Sequence, residues 1–280
     1  MENNLLRQFL LQSLGEDLGD GDHSSLACIP AGKNGLAKLL IKENGILAGI
    51  KVAKELFSIV DKDLIFDMIL EDGSHIVPGD IAFYLSGNQQ SILKSERLVL
   101  NIMQRMSGIA TATHEYVSKL EGLKTIILDT RKTTPGVRFL EKEAVRIGGG
   151  MNHRMGLYDM IMLKDNHIDY AGGISNAISK TREYLKRNNL NLKVEIEARS
   201  LEDVRTILAS GGIDRIMLDN FSVQDTLAAV KEISGRYETE SSGGINLSTI
   251  RSYAECGVDF ISVGALTHHI KSLDMSLKAI

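Results

Sequence analysis

From residue 122 onward the chain repeats one unit, a short apolar run followed by an amphipathic stretch. The runs are TIILD (125–129), YDMIML (158–163), LKVEIE (192–197), DRIML (214–218), YETES (237–241) and DFISV (259–263). Helical periodicity fills 138–148, 169–188, 200–210, 222–235 and 246–256. Short apolar runs alternating with helices form parallel strands joined by right-handed crossovers. Two architectures satisfy this pattern, an open doubly wound sheet and a (β/α) barrel. No G-x-G-x-x-G marks the first strand-to-helix turn, which weighs against the dinucleotide-binding form. The repeat is also too short for a full eight-stranded barrel, which takes about 250 residues. An incomplete barrel is the expectation.

The chain before this repeat has a different texture. Residues 36–86 read as short strands in an α+β layer, with Asn44-Gly45 as a hairpin signal and Asp72-Gly73 and Pro78-Gly79 as turns. Helices are expected at 2–14 and 50–60. SILKSERLVLNIMQRMSGIATATHEYVSKL, from Ser91, carries three- and four-residue apolar spacing, with a break expected at Ser107-Gly108. The fold class is therefore α/β. An N-terminal domain spans 1–108, the incomplete barrel with the active site spans 109–266, and the tail 267–280 packs with the first domain.

A formal net charge of −4 gives no overall attraction for nucleic acid or an acidic membrane, so any anion site must be a local cluster. Cys28 and Cys256 are the only cysteines and make no C-x-x-C, which excludes a zinc ribbon or redox motif; two buried free thiols are expected. The opening MENNLLRQFLLQSLGEDLG lacks the basic and apolar regions of a signal peptide, and no apolar stretch approaches the ~18–20 residues that span a bilayer. The expected location is cytoplasmic.

Parallel α/β folds place their chemistry at the carboxyl ends of the strands. The first run is followed by Thr130, Arg131 and Lys132; the second by Lys164, Asp165, Asn166 and His167. The third ends in Glu197, with Glu195 on the same face. Asp219 and Asn220 follow the fourth, Ser242, Gly243 and Gly244 the fifth, and Gly264 and Ala265 the sixth. Cations thus come from the early strands, carboxylates from the middle ones and glycine loops from the last two. Late glycine loops suit phosphate, which backbone N–H groups bind. His153 and Arg154 follow three glycines in GGGMNHR, and Arg105 sits in the otherwise apolar LNIMQRMSGIAT, placed for an anionic partner.

LNIMQRMSGIAT, DTRKTTPG, GGGMNHR, IMLKDNH, VEIE, IMLDN, ESSGGIN and SVGALTH, in this order, closely resemble the quinolinate phosphoribosyltransferases. The likeness runs from EDLGDGD (16–22) to SVGALTH (262–268), nearly the whole chain. One departure is His23-Ser24 in GDHSS, where that family has an apolar residue and then Thr. The resemblance implies an N-terminal α/β sandwich beside an incomplete α/β barrel. It also implies a homodimer or higher assembly with shared active sites, and Mg²⁺ as the cofactor. The implied reaction condenses quinolinate with phosphoribosyl pyrophosphate to nicotinate mononucleotide, pyrophosphate and CO₂.

Position by position, the resemblance assigns Arg105, Arg131, His153, Arg154 and Lys164 to the quinolinate carboxylates, with Arg105 reaching a neighbouring subunit's site. It assigns Lys132, together with Thr130, to phosphoribosyl pyrophosphate, and Glu197 and Asp219 to the ribose and its Mg²⁺. Ser242, Gly243, Gly244, Val263, Gly264 and Ala265 would cradle the 5′-phosphate. Asp165 and Glu195 would hold the cations in place when substrate is absent. Two other readings stand beside this one: a related pyrophosphorylase-like enzyme for another anion, and a barrel aldolase with Lys164 as its Schiff-base lysine. A non-catalytic anion-binding protein is a third.

Overall fold

The computed structural model describes residues 3–280. Residue 2 of the expected first helix lies outside the described residues; the helix itself is α1 (Asn3–Leu18). The chain divides into two compact units. One comprises the described residues up to His114, with Phe139–Gly149 and His269–Ile280, the other Glu115–Arg138 and Gly150–His268.

After α1, the first unit continues with α2 (His23–Cys28), β1 (Asn34–Ile41), β2 (Gly45–Ile46), α3 (Ile50–Val60), β3 (Ile65–Met68), β4 (His75–Ile76) and β5 (Ile81–Asn88). The long helix α4 (Gln89–Ser118) follows. Asp22 caps α2: its carboxylate accepts the Ser25 N–H at 3.1 Å and the Ser25 hydroxyl. The unusual GDHSS segment therefore holds a conventional helix start. An antiparallel sheet runs in the order β12-β1-β5-β3, its β12 (Met275–Ala279) supplied by the end of the chain. Its core includes Leu39, Ile41, Phe83 and Leu85, and the Phe83 ring lies 5.7 Å from Phe57 and 4.7 Å from Phe66. Each such fully buried side chain contributes about 1.5–3 kcal/mol.

Several local expectations are corrected here. Asn44-Gly45 does not turn a hairpin. Gly45 starts β2, which pairs with β4, and a Cβ on it would lie 2.3 Å from Leu273 and 2.5 Å from Thr111 Oγ1. That glycine answers to close packing rather than to a turn. Asp72-Gly73 and Pro78-Gly79 do turn, with φ of 94° and 101° at the two glycines. Helix α4 is unbroken at Ser107-Gly108. The Ser107 hydroxyl accepts the Ala48 N–H at 2.9 Å, and a Cβ on Gly108 would lie 2.2 Å from the Lys271 carbonyl oxygen. Cys256 is buried as expected, but Cys28 is exposed.

The second unit carries β6 (Ile126–Leu128), β7 (Ile161–Leu163), α6 (Asp165–Ala171), α7 (Ile174–Asn188), β8 (Val194–Ala198), α8 (Leu201–Ser210), β9 (Arg215–Asp219), α9 (Val223–Ile233), β10 (Glu238–Ser242), α10 (Ile250–Ala254), β11 (Phe260–Ser262) and α11 (Ala265–His268). Helix α5 (Arg138–Ile147) falls almost wholly in the first unit. The helix expected over 169–188 is two: α6 ends at Gly172 and α7 is entered through Gly173, with φ of 86° and 110°. Among the described residues the strands form one parallel sheet, β6-β11-β10-β9-β8-β7. β6 and β7 are its two edges and do not pair with each other, so the barrel is incomplete.

Strand register divides the faces. Val194, Ile196, Ile216, Leu218, Ile127 and Ile261 alternate with the residues of the opposite face and are buried. The opposite face carries Glu195 and Glu197 of β8, Arg215 and Asp219 of β9, and Glu238, Glu240 and Ser242 of β10. Barrel interiors are ordinarily filled by branched apolar side chains. This one is ionic.

Candidate active site

Three groups of side chains gather on that ionic face and at its carboxyl-terminal rim. The first is a carboxylate pair. Lys164, which follows β7, places Nζ 2.8 Å from Glu197 Oε1, and the Asp165 N–H donates to Glu197 Oε2 at 3.1 Å. Burial and the neighbouring charge of Glu197 raise the Asp219 carboxyl above its usual range. Asn220, at φ 57°, turns its amide onto Asp219 Oδ2 at 2.8 Å. Asp219 is not a helix cap; Ser222 caps α9. The Asp165 side chain is exposed and accepts its neighbour Asn166 N–H, so Asp165 touches Glu197 through its backbone N–H.

The second group is cationic. Arg154 is only 9% exposed; Nη1 donates to the Met160 carbonyl and Nη2 lies against Met162 Sδ. Burial and then the nearby charge of Arg131 hold its guanidinium below the ordinary arginine range. Arg131 and Lys132 are exposed, on the loop after β6. The Lys132 N–H donates to Thr130 Oγ1 at 3.0 Å, and Thr267 Oγ1 donates to the Lys132 carbonyl at 2.8 Å. Arg138 braces the same loop through Thr133 Oγ1 and the Met155 carbonyl.

The third group is a pair of glycine loops. Gly243 and Gly244 have φ of 98° and 63°, and a Cβ on Gly243 would lie 2.2 Å from Asn220 Oδ1. A Cβ on Gly264 would lie 2.9 Å from His268 Nε2 and 3.0 Å from the Lys132 side chain. Only glycine fits against these neighbouring side chains, and glycine loops of this kind leave backbone N–H groups open to an anion. Val263 spends its N–H on the Leu128 carbonyl within the sheet, which leaves that turn's anion donors to Gly264 and Ala265.

His153 lies below the rim. Its Nε2 is 2.9 Å from Glu195 and 3.4 Å from Glu240, and both carboxylates are fully buried. Its Nδ1 accepts the Arg154 N–H at 2.7 Å, and its own N–H donates to Asp129 Oδ1 at 2.8 Å. The ring proton therefore sits on Nε2, between the carboxylates. Burial opposes a second proton, yet hydrogen bonds to Glu195 and Glu240 pull one toward the ring, up to about 9. That proton would have to displace the Arg154 amide. Burial and the Glu240 charge push Glu195 up to about 7. Glu240 resists its own burial and is held low by His153, Ser262 and Arg215.

Arg105 belongs to the first unit, where its Nε donates to buried Glu141 at 3.0 Å. The sequence reading missed Glu240, Arg215 and His268. Glu240 and Arg215 were visible as charges inside apolar runs, and His268 as the end of SVGALTH.

The chain is similar to known proteins over nearly its whole length. Residues 22–107 match the family described as quinolinate phosphoribosyl transferase, N-terminal domain, and residues 109–278 match its C-terminal domain. A chloroplastic nicotinate-nucleotide pyrophosphorylase [carboxylating] of Arabidopsis thaliana is 46% identical, over 98% of this chain and 82% of its own length. A probable nicotinate-nucleotide pyrophosphorylase [carboxylating] of Bacillus subtilis is 43% identical, over 98% and 91%. The crystal structure of NadC from Streptococcus pyogenes superposes with a TM-score of 0.94 at 38% identity, over 100% of this chain and 99% of that one.

Proposed function

The chain belongs to the quinolinate phosphoribosyl transferase family, and from that premise we propose that it joins quinolinate to phosphoribosyl pyrophosphate, releasing pyrophosphate and CO₂ and forming nicotinate mononucleotide for NAD biosynthesis. The observation that carries this reading is the sorting of groups around one barrel rim. Buried Arg154 with Arg131 and Lys164 suits a dicarboxylate, the glycine loops suit a phosphate, and Glu197 with Asp219 suits the carbon between them.

The chemistry follows from the residue types. Arg154 and Arg131 present planar forks that bond carboxylates in two places, whereas Lys164 and Lys132 act as point charges. Gly243, Gly244, Gly264 and Ala265 offer backbone N–H groups to the 5′-phosphate, and Lys132, beside Gly264, faces the pyrophosphate. The ring nitrogen attacks the sugar carbon as pyrophosphate departs, and positive charge develops on the ribose. Glu197 and Asp219 stabilise that charge. Alkylation makes the pyridine ring an electron sink. The bond to the adjacent carboxylate then breaks, CO₂ leaves, and that carbon takes a proton.

Mg²⁺ fits this rim. Asp219 is a carboxylate pressed by the charge of Glu197, a strain that a divalent cation with oxygen ligands relieves. Asp219 would hold it with the substrate, while Glu197 keeps both oxygens on Lys164 and Asp165. When bound, the metal supplies positive charge to the leaving pyrophosphate. The aldolase alternative is disfavoured because Lys164 is engaged with a carboxylate at 2.8 Å, which suits a cation rather than a neutral amine nucleophile. A homodimer in which Arg105 serves a neighbouring subunit's site, in the cytoplasm, completes the proposal. No helix among the described residues is long and apolar enough to cross a membrane. The test is release of labelled CO₂ from carboxyl-labelled quinolinate. It must require phosphoribosyl pyrophosphate, and release without that partner, or none with it, sinks the reading.

A further inference from the structure

A costly group of buried charges in the second unit lies outside the carboxylate pair, the exposed cations and the glycine loops described above. Glu195 and Glu240 are fully buried, their partner His153 nearly so, and Arg215 is 11% exposed by side chain. Arg215 Nη1 meets Glu240 at 2.9 Å, its Nη2 meets Glu238 at 3.0 Å, and its guanidinium lies 3.9 Å from the centre of the Phe260 ring. Glu195 Oε1 is buried with no hydrogen-bond partner among the described residues. An orphaned buried carboxylate oxygen is a net cost to the fold. Apolar residues of similar volume fill such a space at less cost, so stability does not account for the arrangement.

The three acidic and imidazole groups lie close enough together to resemble a metal site, with ligand atoms within 4.8 Å of one another. Arg215 already supplies a positive charge there, and His153 Nε2 offers the carboxylates an N–H donor rather than a ligand lone pair, so the cluster reads as a closed network. What it ends on is the informative part. The chain of contacts runs from Arg215 to Glu240, across His153 Nε2 with Glu195 alongside, and leaves through Nδ1 to the Arg154 N–H. The His153 N–H is fixed by Asp129 at the same time. Arg154 is the buried rim cation.

We propose that Glu195 and Glu240, backed by Arg215, are positioning residues for quinolinate recognition: they orient the His153 imidazole, which in turn seats Arg154 against a carboxylate of the substrate. The inference rests on the quinolinate reading above and gives His153 a different part from direct contact. His153 acts through Arg154, because both of its ring nitrogens face protein groups. Other charges facing Glu195 come from β9 as Arg215, from β10 as Glu240, and from the segment before β7 as His153 and Arg154.

The experiment is steady-state kinetics of Glu195→Gln and Glu240→Gln beside the unaltered chain, each first checked for its thermal transition. Gln keeps the size and one donor or acceptor but not the charge. The expected result for Glu195→Gln is a KM for quinolinate raised about tenfold. The KM for phosphoribosyl pyrophosphate stays within about twofold and kcat within about threefold on the same arithmetic. The pH dependence of kcat/KM for quinolinate between about 6 and 8 should also flatten, since Glu195 titrates near the middle of that range. Should Glu195→Gln not fold, Glu240→Gln carries the same KM split. An unchanged KM for quinolinate with an unchanged pH profile overturns the inference. So does an equal rise in both KM values, which marks a merely structural role. Turnover by the unaltered chain separates these failures from failure of the quinolinate reading, which would show as no turnover at all and would take this inference with it.

Discussion

Replacing Arg215 by Met isolates the energetic weight of the ionic core. Met keeps most of the side-chain volume and its contact with the Phe260 ring, but removes the charge. Arg215 makes two ion pairs of unequal worth. Its Glu238 partner is 38% exposed, so that pair contributes about 0–1 kcal/mol. Its Glu240 partner is 0% exposed at 2.9 Å, and breaking a buried pair by removing one member costs about 3–5 kcal/mol, because the other charge is left uncompensated. Loss of the stacked guanidinium adds at most about 2 kcal/mol. The sum, dominated by the orphaned Glu240, is about 3–8 kcal/mol for Arg215→Met, a fall in Tm of roughly 6 °C or more. Calorimetry on the intact chain reads this directly. The double variant Arg215→Met with Glu240→Gln discriminates the cause. If the orphaned charge is the cost, the double variant should lose about 2 kcal/mol less than the sum of the single losses. A single-variant loss under about 1 kcal/mol, or strictly additive losses, refutes this reasoning.

Other outcomes follow from the same coordinates. Gly108→Ala should lower stability by about 1–3 kcal/mol although Ala is the better helix former, because its methyl would meet the Lys271 carbonyl at 2.2 Å; a stabilised variant in urea unfolding would contradict this. Gly243→Ala places a side chain at φ 98° against Asn220, so the KM for phosphoribosyl pyrophosphate should rise about tenfold or more with the quinolinate KM little changed; equal KM values for the variant and the unaltered chain would remove Gly243 from the phosphate cradle. Glu195 gives a pH prediction. Its folded carboxyl is raised to about 7 against about 4.3 in an unfolded chain, so between those values the folded state holds a proton the unfolded chain has released. Its contribution to stability is thus fully present below about pH 4.3 and is lost as pH rises through about 7. Glu195→Gln has no such loss, so its stability relative to the unaltered chain should improve by up to about 3 kcal/mol from pH 5 to pH 8, and a constant difference would contradict the assignment.

The parallel sheet was legible because its apolar runs are short, evenly spaced and separated by helical periodicity. Arg131, Lys132, Lys164, Glu197 and Asp219 were legible because strand ends are where such folds carry chemistry, and a strand end can be found from local pattern. What lay hidden depended on contacts distant in sequence. Gly45 and Gly108 looked like turn and break signals, yet each makes room for a segment near residues 271–273 that joins the same unit. Cys28 looked like a buried thiol by composition, but α2 leaves it on the surface. Arg215 and Glu240 looked like blemishes in weak strands. Only the register, which sets Arg215 beside Glu195 and Glu238, turns those charges into a network. The ring orientation of His153 had no signal in the sequence, since it is fixed by carboxylates from two separate strands.

A decarboxylating phosphoribosyl transfer to a dicarboxylate is testable by setting two pyridine acids side by side. Purified chain, Mg²⁺ and phosphoribosyl pyrophosphate are incubated with quinolinate or, in parallel, with nicotinate, and the nucleotide product and CO₂ are quantified together. Nicotinate mononucleotide should form from quinolinate, with equal amounts of CO₂, and no product should form from nicotinate, whose single carboxylate cannot engage the full set of Arg131, Arg154 and Lys164. Nucleotide formed from nicotinate as readily as from quinolinate, or from neither, would contradict it.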